Sequence, residues 1–79
     1  MINLDKNTFE EEVLKGEGTI FVDFWSEGCE PCKALMPDVH QLAETYGDKI
    51  KFCAMDTTKA RRLAIKEKVL GLPTLAIYK

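Results

Sequence analysis

No stretch of this chain is apolar for long enough to cross a membrane, because every apolar run is short and broken by charge. Nor does one sign of charge dominate. Eleven Lys and Arg stand against 13 Asp and Glu, a net charge of −2, and the two signs are interspersed. No basic stripe along the sequence points to nucleic acid, and the one acidic run, Glu10 to Glu12, reads as a solvated helix face. Repeats, low-complexity segments and linkers are missing. The opening residues, MINLDKNTFEEE, have neither the basic region nor the apolar core of a signal peptide. Cysteines in a chain without an export signal are expected in a reducing compartment, here the cytoplasm, where a close pair serves catalysis or metal binding more often than structure. At 79 residues the chain is expected to form one small domain, residues 1–79, with a core that is marginal for its size.

What is present is a regular alternation of elements. Met1 to Leu4 reads as a short strand. Thr8 and Glu11 have the spacing of a capping box, followed by a short helix burying Phe9, Val13 and Leu14 and closed by Gly16 and Gly18. TIFVDFW, residues 19–25, is β-branched, aromatic and almost wholly apolar, as a central strand covered on both faces should be. Asp23 interrupts it, and a carboxylate there is costly unless it is paired, hydrogen-bonded or protonated. From Pro31 to Tyr46, the positions Leu35, Met36, Val39, Leu42, Ala43 and Tyr46 form one helical face, with a kink expected at Pro37 and a stop at Gly47. Ile50 to Met55 is a second buried strand. Thr57 or Thr58 then caps a third helix, with Leu63, Ala64 and Val69 facing inward. Gly71 to Thr74 is a loop, and Leu75 to Tyr78 a last strand. The order β-α-β-α-β-α-β predicts a layered α/β domain with crossover connections.

The chemistry resides in WSEGCEPCK, residues 25–33. A tetrahedral zinc site needs four ligands, and the soft candidates are Cys29, Cys32, Cys53 and His40. His40 lies eight residues beyond Cys32 on one helix, about 12 Å along its axis, so the two cannot share an ion. No metal is expected. A structural disulfide across so short a loop would remove little chain entropy. A redox role suits the surroundings better. Pro31 fits the first turn of a helix, so Cys29 sits where free N–H groups and the helix dipole favour a thiolate. Cys32 lies one turn inside, where it can resolve a mixed disulfide. Cys53 reads as a buried, inert thiol, and His40 as a helix-flank residue without a role.

The run VDFW at residues 22–25, then CEPCK at 29–33, then Pro37, then GLPT at 71–74, resembles the thioredoxin family in order and close to it in spacing. The likeness extends over the whole chain, and its GCEPC form is similar to thioredoxins of amino-acid-fermenting anaerobes. It implies a three-layer sandwich and a thiol–disulfide oxidoreductase that reduces disulfides of partner proteins. No bound cofactor is implied, and recycling falls to an external reductase such as thioredoxin reductase. By the same resemblance Cys29 is the nucleophile, Cys32 the resolving thiol and Asp23 the carboxylate that moves its proton. Trp25 and Gly28 would flank the substrate, Leu72 would pair its backbone with an extended segment of it, and Pro73 would be cis.

The chain departs from the family pattern in four places. Gly28 stands where many relatives have a second tryptophan, which flattens the docking surface. Glu30 replaces a glycine and, beside Pro31, is expected to oppose the Cys29 thiolate. Phe52 stands where many relatives place a lysine near the buried carboxylate, and strand alternation points Lys51 to the other face. Finally, the usual last strand and helix are lacking, so the chain reads as C-terminally incomplete, with an open sheet edge that invites a dimer or domain swap. Two rival readings are a glutathione-linked glutaredoxin-like enzyme and a non-catalytic interaction module or inactive fragment.

Overall fold

A computed structural model describes residues 1–79. Four strands, β1 (Ile2–Leu4), β2 (Ile20–Trp25), β3 (Lys51–Asp56) and β4 (Thr74–Tyr78), form one sheet in the order β1-β3-β2-β4. β1, β3 and β2 run parallel, whereas β4 runs antiparallel to β2. Helix α1 (Glu30–Tyr46) covers one face. A π-helical turn (Glu10–Leu14), a 3-10 turn (Thr57–Lys59) and helix α2 (Arg61–Lys66) account for the other helical segments.

Crossover connections hold for the parallel strands but not for β4, and helix length explains why. α1 has 17 residues, about 25 Å, enough to carry the chain back along a strand of about 20 Å. α2 has six residues, about 9 Å. The chain therefore re-enters the sheet at the end where β3 left it, and β4 must run the opposite way.

Strand alternation divides the core in two. Ile20, Val22, Phe24, Cys53 and Met55 pack with Leu4, Phe9 and Val13 on one face. Phe21 and Phe52, with ring centroids 4.9 Å apart, pack under Val39 of α1 on the other. Lys51 lies on the first face, where its ammonium bonds the Glu12 carbonyl and pairs with the Glu12 carboxylate. Tyr78 closes that side, its hydroxyl donating to Glu67 at 2.8 Å and its ring lying edge-on to Phe9.

Several local expectations are corrected. The first helical turn is not capped by a Thr8–Glu11 box. Instead Asp5 Oδ1 accepts from the N–H groups of Asn7 and Thr8, while the Asp5 N–H donates to Thr8 Oγ1. Those backbone bonds hold the Asp5 carboxyl below the usual range. Phe9 and Val13 are buried, but Leu14 is exposed, because the wider π winding leaves it on the solvent side. On α1, Val39 is buried and Leu35, Met36 and Ala43 are half-buried. Leu42 and Tyr46 stay exposed, since nothing packs beyond the Phe21–Phe52 layer. Neither Thr57 nor Thr58 caps α2. Asp56 caps the 3-10 turn through Thr58, and Thr57 turns inward. Leu75 and Ile77, on the α1 face of β4, are also exposed.

Gly16 is required by close approach. A Cβ there would stand 2.5 Å from the Glu12 carbonyl oxygen and 2.6 Å from Ile20 Cδ1. Gly16→Ala is expected to lower stability by about 1–3 kcal/mol, read by thermal denaturation, because the backbone of the π turn cannot withdraw without disturbing Val13.

Candidate active site

The candidate site residues collect toward one end of the sheet. Parallel strands β2 and β3 finish together, with Trp25 opposite Asp56. Thr57 fastens this end by donating its hydroxyl to the Trp25 carbonyl at 3.1 Å. β4 begins at the same end, since Thr74 lies opposite Phe24. The loop after Trp25 and the residues before Thr74 are thereby brought side by side, with Gly28, Cys29, Leu72 and Pro73 among them. The Leu72–Pro73 peptide bond is cis. Thr74 Oγ1 donates to the Gly71 carbonyl across this turn.

Cys29 and Cys32 are joined as a disulfide, with Cα atoms 5.2 Å apart. Cys29 is the N-cap of α1, its sulfur accepting the Cys32 N–H at 3.1 Å, and Pro31 occupies the first turn. The two sulfurs differ in access: Cys29 is half-buried and Cys32 is 1% exposed. Glu30 is exposed, and the Lys33 ammonium lies 3.6 Å from its carboxylate, so part of its charge is offset beside Cys29. Gly28 is open, with no atom within 4 Å of where a Cβ would stand.

Asp23 lies on the α1 face of β2, flanked by Ala54 of β3 and Leu75 of β4. It is 2% exposed, and burial pushes its carboxyl above the usual range. No protein group donates to it, yet no buried polar atom is sealed without a partner, so its oxygens keep a little contact with water. Phe52 stands on the same face and supplies no charge. His40, on α1, opposes the upward shift through its charge interaction with Asp23 but less strongly than burial raises it. His40 shares a cavity of about 230 Å³ with Trp25, Met36 and Ala54, directly over the strand that flanks Asp23. His40 itself is exposed on α1, as expected of a helix-flank residue.

Cys53 is the free cysteine. It is fully buried in the opposite core layer, where burial pushes its thiol up. No group of three or more His, Cys, Asp or Glu side chains converges to hold a metal, and no helix is long and apolar enough to cross a membrane.

A helix capped by one cysteine of a CxxC disulfide, beside a cis-proline loop and a buried aspartate, narrows the comparison with known proteins. The thioredoxin family model matches residues 1–79, the whole chain. The chain belongs to the thioredoxin family. It is 71% identical to the thioredoxin of Acetoanaerobium sticklandii over 79 residues, which is all of this chain and 75% of that protein. With the thioredoxin of Peptoclostridium acidaminophilum it shares 53% identity over 79 residues, 72% of that protein. A thioredoxin sequence of Tissierella creatinophila is 73% identical over 44 residues, covering 56% of this chain and 100% of that sequence. The fold is accordingly the α/β thioredoxin architecture, and the protein is a thiol–disulfide oxidoreductase, a protein-disulfide reductase, working through a CxxC pair.

Proposed function

We propose that Cys29 is the attacking thiolate, Cys32 the resolving thiol and Asp23 its proton acceptor. The observation that carries this reading is the unequal access of the two sulfurs. Cys29 faces the site at a helix N-terminus with a backbone N–H on its sulfur, an arrangement that favours the thiolate, whereas Cys32 is covered. Glu30 tempers the effect, and Lys33 softens Glu30 in turn, modestly because both are exposed.

In the forward direction the Cys29 thiolate attacks one sulfur of a partner disulfide, and the other partner sulfur leaves as a thiolate. Cys32 then gives its proton to Asp23, and its thiolate attacks the Cys29 sulfur. That closes the Cys29–Cys32 bond and releases the second partner thiolate. Two electrons pass to the partner, and two must return from an external reductase such as thioredoxin reductase, in the cytoplasm. Trp25, Gly28, Leu72 and Pro73 line the approach, with the Leu72 backbone pairing an extended substrate segment. Residues 1–79 act as one unit in this reading. β4, an edge strand with Leu75 and Ile77 uncovered, is where a second copy would add.

A redox titration followed by the fluorescence of Trp25, the single tryptophan, tests the direction of transfer. The expected result is one two-electron transition near about −270 mV, the value general to thioredoxin rather than one obtained from this site. A midpoint near about −120 mV would instead make the chain a disulfide donor.

A further inference from the structure

Nearly half of the cations of this chain fall in one short segment, and the fold adds another beside them. Residues 57–70 carry Lys59, Arg61, Arg62, Lys66 and Lys68 against the single carboxylate Glu67, in a chain whose net charge is −2. Glu67 is engaged by the Tyr78 hydroxyl. Lys6, Lys59, Arg61 and Arg62 line one hollow of about 270 Å³ that has no acidic residue in its wall. None of the four makes an ion pair, since the salt bridges of the molecule use Lys15, Lys33 and Lys51.

This hollow adjoins the site. A groove of about 320 Å³ starts at Ser26 of the active-site loop and at Gly71 and Leu72 beside the cis-proline. It runs outward between Ala64, Val69 and two apolar side chains left in water, Ile65 at 72% and Leu70 at 94% exposure. Thr58 and Arg61 belong to both walls, so groove and hollow form one continuous surface. A segment paired with Leu72 and offering its disulfide to Cys29 has this surface in its path. The apolar part lacks a covering side chain, and the cations make no ion pair, the nearest carboxylates in the chain, Asp5 and Asp56, being engaged by backbone N–H groups.

We propose that the protein selects disulfides carried on acidic segments: an apolar side chain of the substrate fills the groove, and flanking carboxylates neutralise Lys59, Arg61 and Arg62. This rests on the reductase reading above and specifies its substrate class. It runs against the average field of the molecule, because a chain of net charge −2 should on the whole repel an acidic peptide. The local and average fields therefore predict opposite orders of preference.

The test uses three disulfide-bridged peptides of equal length sharing one leucine, with aspartate, asparagine or lysine at the flanking positions. Their reduction by the reduced protein is followed at low salt and in about 0.5 M salt, where charges are screened over a few ångströms. The aspartate peptide is expected to show kcat/KM about tenfold above the asparagine peptide, and the lysine peptide the lowest value. The differences should shrink in salt. Lys59→Ser/Arg61→Ser/Arg62→Ser should abolish the preference, and Arg61→Glu/Arg62→Glu should reverse it toward lysine. Equal rates for the three peptides at low salt, a preference for lysine, or a preference unchanged in both variants would overturn the proposal. Failure to reduce even the asparagine peptide would count against the reductase reading itself, so the two failures are distinguishable.

Discussion

Cys29→Ser is expected to lose reduction of protein disulfides almost completely, by a factor on the order of 10⁴ or more, while Cys32→Ser stops one step later. The difference follows from access. Removing the half-buried Cys29 removes the nucleophile, and Cys32, 1% exposed, cannot replace it. Removing Cys32 leaves a thiolate that still attacks but has nothing to release it, so a mixed disulfide with the partner accumulates in equal amounts. Mass spectrometry of the reaction under non-reducing conditions separates the two outcomes. Cys53→Ala serves as the control, since this thiol is fully buried in the far core layer and its ionisation is disfavoured by burial. Its loss should leave the rate of reduction unchanged. A Cys32→Ser protein that continued to turn over with glutathione would favour the glutaredoxin-like mechanism. A Cys29→Ser protein that still reduced its partner would refute the assigned nucleophile.

The features legible in the sequence are those determined within a few residues of chain. β2 announces itself by its apolar run, and the intrusion of Asp23 marks a carboxylate with a burden. The cysteine that caps α1 follows from a strong strand, a short loop and Pro31. Phe52 and Lys51 could be sent to opposite faces by alternation alone, and the register confirms it, with Phe52 against Phe21 and Lys51 against Glu12. What was not legible depends on contacts distant in sequence or on competition between neighbours. Thr8 has the spacing of a cap with Glu11, but Asp5 supplies a stronger acceptor and claims Thr8 first. The direction of β4 depends on α2 being six residues long, and helix ends are what a sequence specifies least. Leu42 and Tyr46 fit an apolar helical face yet stay in water, because periodicity identifies a face without providing its partner. The basic groove is another case of the same kind. Lys59, Arg61 and Arg62 are neighbours in the chain, but their meeting with Lys6 and with the groove beside the cis-proline depends on how the 3-10 turn and α2 fold against the segment around Lys6.

Asp23→Asn should make the protein more stable and slower at once, and pH separates the two effects. In the unfolded chain Asp23 ionises near about 3.9. In the folded chain burial raises this value, only partly offset by His40, so the folded state holds the proton to higher pH. Below the unfolded value both states are protonated and the carboxyl imposes no charge penalty. As pH rises through the window between the two values, the unfolded state gains from ionisation and the folded state does not. Stability is lost across that window, and the loss is complete above the folded value. An asparagine carries no charge at any pH, so the variant should match the wild type near pH 3 and exceed it at pH 7 by about 1–3 kcal/mol in denaturant unfolding, the cost of one poorly satisfied buried group. The kinetic effect has the opposite sign. Without a carboxylate to receive the Cys32 proton, release of the mixed disulfide should slow by about 10²-fold at pH 7. That is the low end for general acid–base catalysis, because the Asp23 oxygens keep contact with water that can substitute. The deficit should narrow as pH rises and hydroxide takes over the proton. A variant that resolved its mixed disulfide at the wild-type rate, while showing the gain in stability, would leave Asp23 a buried cost without a catalytic return.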